Sequence, residues 1–246
     1  MSFTDKNIRE RDFHNKLQSK SKGRFEDIFY KAIYNSNEDF FDFLKLNSFN
    51  SEILDYGCGI GSSLRKVAEF SPKKITGIDI SEVSIKKAKE VSKENSKIEL
   101  LVDNCEKTRF QNNSFDVVYG TGILHHLNLE VCLTEIFRIL KPGGKFLFIE
   151  PLGTNPLINL YRKLTPQSRS VDEHPLVDMD FNLIQKKFSK TKIKYYGFLT
   201  LALFPFYSSP KNSKIFKILK NFDQILFKLN IFKKLAWSVL IIAEKN

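Results

Sequence analysis

Apolar residues along this chain follow two rhythms. Short apolar runs at 52–56 ("EILDY"), 74–80 ("KITGIDI"), 97–103 ("KIELLVD"), 115–122 ("FDVVYGTG") and 145–150 ("KFLFIE") have the length and side-chain types of buried strands. Between them, apolar residues recur three and four apart, the spacing of helices. "SSLRKVAEF" (62–70) puts Leu64, Val67 and Ala68 on one face behind Ser62 or Ser63 as N-cap, and "SEVSIKKAKEVSKEN" (81–95) is capped by Ser81 beside Glu82. "LEVCLTEIFRIL" (129–140) stops at "KPGG", where proline and glycine cannot continue a helix. Strands alternating with helices predict a parallel sheet covered on both faces. Upstream, residues 24–46 predict one or two amphipathic helices rich in Phe and Tyr. Downstream, residues 151–176 carry Pro151, Pro156, Pro166 and Pro175 with little periodicity, which predicts an irregular lid or substrate loop. A helix (180–188), a strand (193–204, "IKYYGFLTLALF"), a Lys-rich amphipathic stretch (211–235) and a last strand (236–244) complete the pattern, without internal repeats.

The first strand runs into "GCGIG", three glycines in five positions. Glycine loses more freedom on folding than any other residue, so the cluster calls for a tight turn or for close approach of a ligand to bare backbone. Asp79 ends the next strand about 20 residues on, where nucleotide-binding βαβ units carry a ribose-binding carboxylate. The spacing G-x-G-x-G of Gly57, Gly59 and Gly61 is not the dinucleotide G-x-G-x-x-G, and no Lys-Ser/Thr pair follows as in a P-loop. Asp55, just before the turn, repels a pyrophosphate but pairs with a cationic amine. S-adenosylmethionine, with a ribose, an adenine and positive charge, fits the pattern; a dinucleotide stays open as the other reading. In a parallel sheet, ligands bind beyond the carboxyl ends of the strands, so Asp55, Asp79, Asn104, Thr121 and Glu150 are expected along one edge.

Composition adds bounds. At 246 residues the chain suits one large α/β domain or a domain with an appendage. Cys58, Cys105 and Cys132 form no C-x-x-C pair and fall within core elements, as reduced thiols of a cytoplasmic protein do. The charged start "MSFTDKNIRERDFHNK" lacks the apolar region of a signal peptide, and no apolar run is long enough to span a membrane. The net charge of +11 suits nucleic acid, an anionic membrane surface or an acidic substrate, but no Arg–aromatic stripe favours nucleic acid.

Four segments in order, "ILDYGCGIG", "ITGIDIS", "NSFDVVYGTGILHHL" and "RILKPGGKFLFIEP", resemble the class I S-adenosylmethionine-dependent methyltransferases, in particular the ubiquinone and menaquinone methyltransferase branch. The resemblance covers roughly residues 50–152, and the last two strands look like the hairpin that closes that family's sheet. It implies a Rossmann-like, seven-stranded, mostly parallel sheet with an antiparallel last strand. It also implies a division into an N-terminal helical cap (1–48), a cofactor-binding core (49–152), and a lid with closing strands and a Lys-rich insertion (153–246). Asp55, Gly57, Gly59 and Gly61 would line the methionine part of the cofactor, Asp79 would hold both ribose hydroxyls, and Ile80 would pack on the adenine. Cys58, Cys105 and Thr121 join this cofactor set. The family often has an acid contacting the adenine amino group where this chain has Asn104, whose amide oxygen accepts without charge, with Asp103 one residue away.

The implied reaction is methyl transfer to a small or lipophilic acceptor, with oxygen as the expected atom. A hydroxyl acceptor must lose a proton, so a base is needed. His125 and His126 after the fourth strand and His174 in "VDEHPL" are the candidates, and Glu150 is expected to orient the acceptor. Tyr161, Arg162 and Arg169 are candidate lid residues, the arginines suiting an anionic acceptor. No metal site is read from the sequence. In the stretch 211–235, Ile215, Ile218, Leu219, Phe222, Ile225, Leu226 and Leu229 recur at helical spacing among lysines. Such a stretch packs on its own domain or on a second copy, the favoured expectation, or lies peripherally on the inner membrane surface. A nicotinamide-dependent oxidoreductase and a non-catalytic cofactor-binding module remain the alternatives.

Overall fold

The apolar runs pair as the alternation requires. The computed structural model describes residues 3–19, 30–92, 95–207 and 209–246. Its strands are β1 (Glu52–Tyr56), β2 (Lys74–Asp79), β3 (Ile98–Val102), β4 (Phe115–Thr121), β5 (Leu140–Pro151), β6 (Lys190–Tyr196) and β7 (Ser238–Glu244). They form one seven-stranded sheet in the order β3-β2-β1-β4-β5-β7-β6. Strands β1 to β5 are parallel, and β7 runs antiparallel to both neighbours. The strand order reverses between β1 and β4, and at such a switch point the connecting segments diverge and leave a crevice.

The helices are α1 (Asp5–Ser19), α2 (Tyr34–Asn47), α3 (Leu64–Ala68), α4 (Glu82–Ser92), α5 (Leu129–Ile139), α6 (Pro156–Leu164), α7 (Asp178–Lys187), α8 (Leu199–Ala202), α9 (Lys214–Leu226) and α10 (Asn230–Lys233). Alternating strand residues feed two cores. Tyr56, Val118, Phe146 and Phe148 meet Leu133 and Ile136 of α5 and Phe181 and Ile184 of α7. Ile53, Tyr119 and Leu147 face the other way, toward Phe40 and Leu44 of α2, Leu64 of α3 and Ile85 of α4. Each such side chain contributes about 1.5–3 kcal/mol on burial, which is why the sheet survives its many polar edge residues.

Four elements differ from the sequence expectation. The strand expected at 193–204 begins earlier, at Lys190, and ends at Tyr196. Gly197 then takes φ +80°, a conformation that leaves the strand, and the apolar "LTLA" that follows is helix α8. The segment 151–176 is not irregular throughout: Asn155 Oδ1 accepts from the amides of Leu157 and Ile158, Pro156 fits the first turn, and α6 results. Helix α1 is mostly polar, with Ile8, Phe13 and Leu17 its only large apolar residues and Asn7 and Glu10 its buried ones, so no strong apolar periodicity announced it. Of the helical stretch expected at 24–46, residues 24–29 lie outside the described residues; a 3₁₀ turn at Lys31–Ile33 leads into α2.

The Lys-rich stretch forms α9 and α10 between β6 and β7. Phe216 and Leu219 pack against Tyr207, as domain packing requires. Asp223 ties α9 to the turn before it. Its buried carboxylate accepts from the amides of Phe198, Leu199 and Thr200 and from the Thr200 hydroxyl. Replacing it with alanine strands those donors away from water. We expect Asp223→Ala to lower the unfolding free energy by about 3 kcal/mol, read as a shift in the urea midpoint at unchanged slope.

Candidate functional site

The glycine turn follows from β1. Gly57, Gly59 and Gly61 all have positive φ, and the amides of Gly57 and Cys58 donate to Ile78 O, which folds the turn over β2. A Cβ at Gly57 would stand 2.5 Å from Ile123 Cγ1, and one at Gly61 would meet Leu64 and Ala88, so protein packing dictates both glycines. A Cβ at Gly59 meets nothing within 4 Å. Only this glycine leaves an open side where a ligand can reach the backbone.

Two carboxylates flank the turn. Asp55 Oδ2 is buried and accepts from Ser63 Oγ (2.6 Å) and Tyr119 Oη (2.9 Å). Burial pushes its carboxyl up to about 7; the hydrogen bonds from Ser63 and Tyr119 oppose the rise, and the nearby charge of Asp79 adds to it. Asp79 accepts from Gly59 N at Oδ2 (2.9 Å) and Ser81 N at Oδ1 (2.8 Å). Burial raises it too, against those two amide bonds. A carboxylate accepts about four hydrogen bonds, so Asp79 keeps capacity for two hydroxyls. A cationic amine beside Asp55 and a diol beside Asp79 suit these groups. The residues therefore fit S-adenosylmethionine at this edge.

The rest of the expected cofactor set divides. Ile80 is half-buried after β2. Thr121 is exposed at the end of β4. Asn104 is engaged by the chain itself: Nδ2 donates to Asn7 of α1 (3.1 Å), while Oδ1 accepts from Glu106 N (2.9 Å). Asp103 is committed to Asn104 N and to Arg109. Cys58 and Cys105 are buried thiols pushed well above the ordinary range by burial, and the Cys105 carbonyl accepts the Tyr56 hydroxyl. Both cysteines are packing residues.

A cavity of about 640 Å³ opens at the C-terminal ends of β4 and β5. Thr121, Gly122, His125 and His126 line one wall, and Phe13, Tyr30, Tyr161, Phe204 and Trp237 make much of the rest aromatic. Ile123 touches the glycine turn, so the cofactor edge and the cavity share the segment 121–126.

The expected catalytic residues take different places. Glu150 is buried at the end of β5 and accepts from Ile123 N (2.9 Å), Leu124 N (2.8 Å) and His125 Nδ1 (2.7 Å). It shapes the 121–126 loop and also lines the cavity. His125 Nε2 lies 3.4 Å from Glu173. Burial lowers its pKa, but the hydrogen bonds with Glu150 and Glu173 outweigh burial and raise it to about 9. At neutral pH His125 is thus an imidazolium, a donor with no lone pair for a general base. His126 lines the cavity and lies 3.1 Å from Glu10 Oε2. His174 is exposed, faces Asp180 at 3.3 Å and, unlike the other two histidines expected as bases, does not line the cavity.

Sequence reasoning missed α1, which crosses the ends of β2 and β3. Asn7 reaches Asn104 and Glu106, Asn15 accepts from Ser81, and Glu10 accepts from Ser170. Glu10, His14 and His126 bring ligand-type atoms within 4.8 Å of one another, close enough for a shared cation, although ion-pair geometry already accounts for them. The sequence signal was coarse: residues 1–48 were expected as a helical cap, but no strong apolar periodicity placed a helix at 5–19.

Residues 54–148 match the protein family described as Methyltransferase domain. A Caenorhabditis elegans sterol 4-C-methyltransferase is 37% identical over 110 residues, covering 43% of this chain and 33% of that protein. The chain thus spans about a third of such curated relatives. Geranyl diphosphate C-methyltransferase from Streptomyces coelicolor, solved with Mg²⁺, geranyl diphosphate and S-adenosyl-L-homocysteine, superposes with a TM-score of 0.67 at 14% identity, covering 100% of both chains. Haemonchus contortus phosphoethanolamine N-methyltransferase 2, solved with S-adenosyl-L-methionine, gives 0.67 at 21% identity over 96% of this chain and 60% of that one. Residues 54–148 thus match a methyltransferase domain, and the sheet has the fold of these solved methyltransferases. These matches do not single out the quinone branch.

The His125 pair makes a pH test. A pKa raised from about 6.5 unfolded to about 9 folded stabilises fully below about pH 6.5, and the contribution is lost as pH rises through 9. We expect thermal stability to fall from pH 7 to pH 10 more steeply in the native chain than in His125→Gln. Equal slopes would show that the imidazolium is not held.

Proposed function

We propose that this protein is an S-adenosylmethionine-dependent methyltransferase acting on carbon in a small lipophilic acceptor. The observation that carries this reading is the aromatic cavity joined to the glycine turn through residues 121–126. The relatives' names add weight, since sterol and geranyl diphosphate C-methyltransferases act on lipophilic molecules at carbon. Oxygen, the atom expected from the sequence, draws no support from these relatives or from His125, which is already protonated. A nicotinamide-dependent reaction draws none either.

The bound cofactor supplies a methyl group on an electrophilic sulfonium. The chain's own residues supply orientation and a dry pocket. Asp79 and the open backbone at Gly59 suit the ribose end; Asp55 suits the cationic amine. When an alkene carbon forms the new bond with the methyl group and sulfur departs with the bonding pair, positive charge appears on the neighbouring carbon. Aromatic faces such as Tyr161 and Trp237 favour such a charge. The proton then lost needs a base. Glu173 suits the role: burial raises its carboxyl, but His125 and Arg169 outweigh burial and hold it below its usual range, hence ionised.

The surface supports a membrane-facing acceptor. Ile215, Ile218, Phe222 and Ile225 form an exposed stripe on α9, and Leu157, Leu160 and Leu164 form another on α6, whose inner side lines the cavity. Lys211, Lys214, Lys217 and Lys228 are exposed around the first stripe. This combination favours a peripheral seat on an anionic bilayer, since no described helix is long and apolar enough to cross one.

Calorimetric titration tests the core of the reading. S-adenosylhomocysteine is expected to bind with micromolar affinity and NAD not at all. Asp79→Ala should weaken binding at least tenfold, and affinity should fall as pH drops below about 7, where Asp55 takes up a proton. Radiolabelled methyl transfer should then favour alkenes over phenols. Absence of S-adenosylhomocysteine binding would overturn the proposal. For the membrane seat, vesicles containing phosphatidylglycerol should pellet the protein at low salt where neutral vesicles do not, and Ile218→Ser with Phe222→Ser should abolish the effect; equal behaviour of both vesicle types would refute it.

A further inference from the structure

Two guanidiniums in the cavity carry hydrogen-bond donors that the methyl-transfer chemistry does not use. Arg162 on α6 and Arg169 beyond it both line the wall. Arg162 Nη1 donates to Leu152 O (2.7 Å) and Asn159 Oδ1 (2.8 Å), which fixes the guanidinium, yet its Nε is buried without a partner. Arg169 Nη1 lies 3.6 Å from Glu173, and its guanidinium sits 5.8 Å from the Tyr161 ring. Its Nε, too, is buried and unpartnered. Glu173 is shared with His125, so it does not neutralise Arg169 alone.

Buried donors left unpaired are costly, and two neighbouring guanidiniums also repel each other. Burial first, and the charge of Arg169 second, push Arg162 down to about 10, with Glu173 opposing. A fold keeps such a pair where something else satisfies it. The missing partner must be an anion with several acceptor oxygens, because a guanidinium presents planar, paired donors. The aromatic remainder of the cavity takes an apolar body.

We propose that Arg162 and Arg169 clamp the anionic head group of the acceptor, a phosphate ester or a carboxylate, while its hydrocarbon part fills the aromatic side of the cavity. This rests on the cavity being the acceptor site of the proposed methyltransferase. The acceptor is then an amphiphile with a negative head, not a neutral lipid.

The test is calorimetry on the full chain with S-adenosylhomocysteine present. The probes are dodecyl phosphate, dodecanoate, dodecanol and inorganic phosphate, each below its micellar concentration. One or both anionic amphiphiles should bind at least tenfold more tightly than dodecanol, and which of them does so separates phosphate from carboxylate. Inorganic phosphate alone should bind weakly, because it lacks the apolar body. Arg169→Met and Arg162→Met should each reduce the preference for the anion about tenfold, leaving dodecanol and S-adenosylhomocysteine affinities in place. Because Arg162 also holds Leu152 and Asn159, Arg169→Met decides the matter if Arg162→Met unfolds. Equal affinity for dodecanol and the anions, no binding of any amphiphile, or a preference unchanged in Arg169→Met overturns the clamp. If S-adenosylhomocysteine binds while the clamp fails, the methyltransferase reading stands alone; if it does not bind, that reading falls.

Discussion

A buried carboxylate, Glu150, holds the cavity in shape. A polar group out of water survives only when its hydrogen bonds are satisfied, and Glu150 is satisfied by the amides of Ile123 and Leu124 and by the His125 ring. Those bonds fold the segment after β4 into a 3₁₀ turn at Leu124–His126. His125 passes the constraint on: its Nε2 faces Glu173 and its carbonyl accepts from His174 N (2.7 Å). The chain between α6 and α7 is thereby pinned to the sheet edge, and Arg169 reaches Glu173 from the same segment. That wall of the cavity is thus one linked set of charges anchored at the end of β5.

The cofactor edge follows a different logic. Its backbone turn is shaped by packing at Gly57 and Gly61, while its two acids are only partly satisfied. Asp55 and Asp79 are both raised by burial and sit near each other, so neither is comfortable as an anion alone. A ligand that brings a positive charge and hydroxyl donors relieves both at once. Attraction between ligand and site is therefore built from desolvation already incurred on folding, which is the economical way to prepare a polar site.

The sheet was legible because its strands are short apolar runs whose burial leaves no other use for them, and the acid and glycine positions at their ends followed from the same registration. What escaped was written in partners far apart in sequence. Nothing local to Asn7 or Glu10 indicates that they are buried against Asn104, Glu106 and Ser170. Asn104 was expected at the adenine because its neighbours resemble a motif; nothing local showed that its Nδ2 would meet Asn7 of α1 while its Oδ1 accepts from Glu106 N. Helix α6 was hidden by turn-forming residues that in fact cap it, and the strand expected to 204 was cut by one glycine whose φ an apolar-run reading does not see. The base candidates divide for a related reason: a histidine's role depends on what faces each nitrogen. His125 has carboxylates on both sides, His174 lies outside the cavity, and His126 lines it.

That last point bears on the acceptor atom. A hydroxyl or phenol must surrender its proton before or during transfer, which demands a group with a free lone pair at neutral pH. His125 is raised to about 9 between two carboxylates and His174 is outside the cavity, which leaves His126, beside Glu10, as the histidine of the three that lines the cavity without that pairing. An alkene needs no such group to attack, because its π electrons are available as they stand; it needs instead a carboxylate that stays ionised to receive a proton afterwards, and a lining that tolerates transient positive charge. Glu173 and the aromatic wall meet those two needs without any rearrangement of the buried charge network that holds the site together.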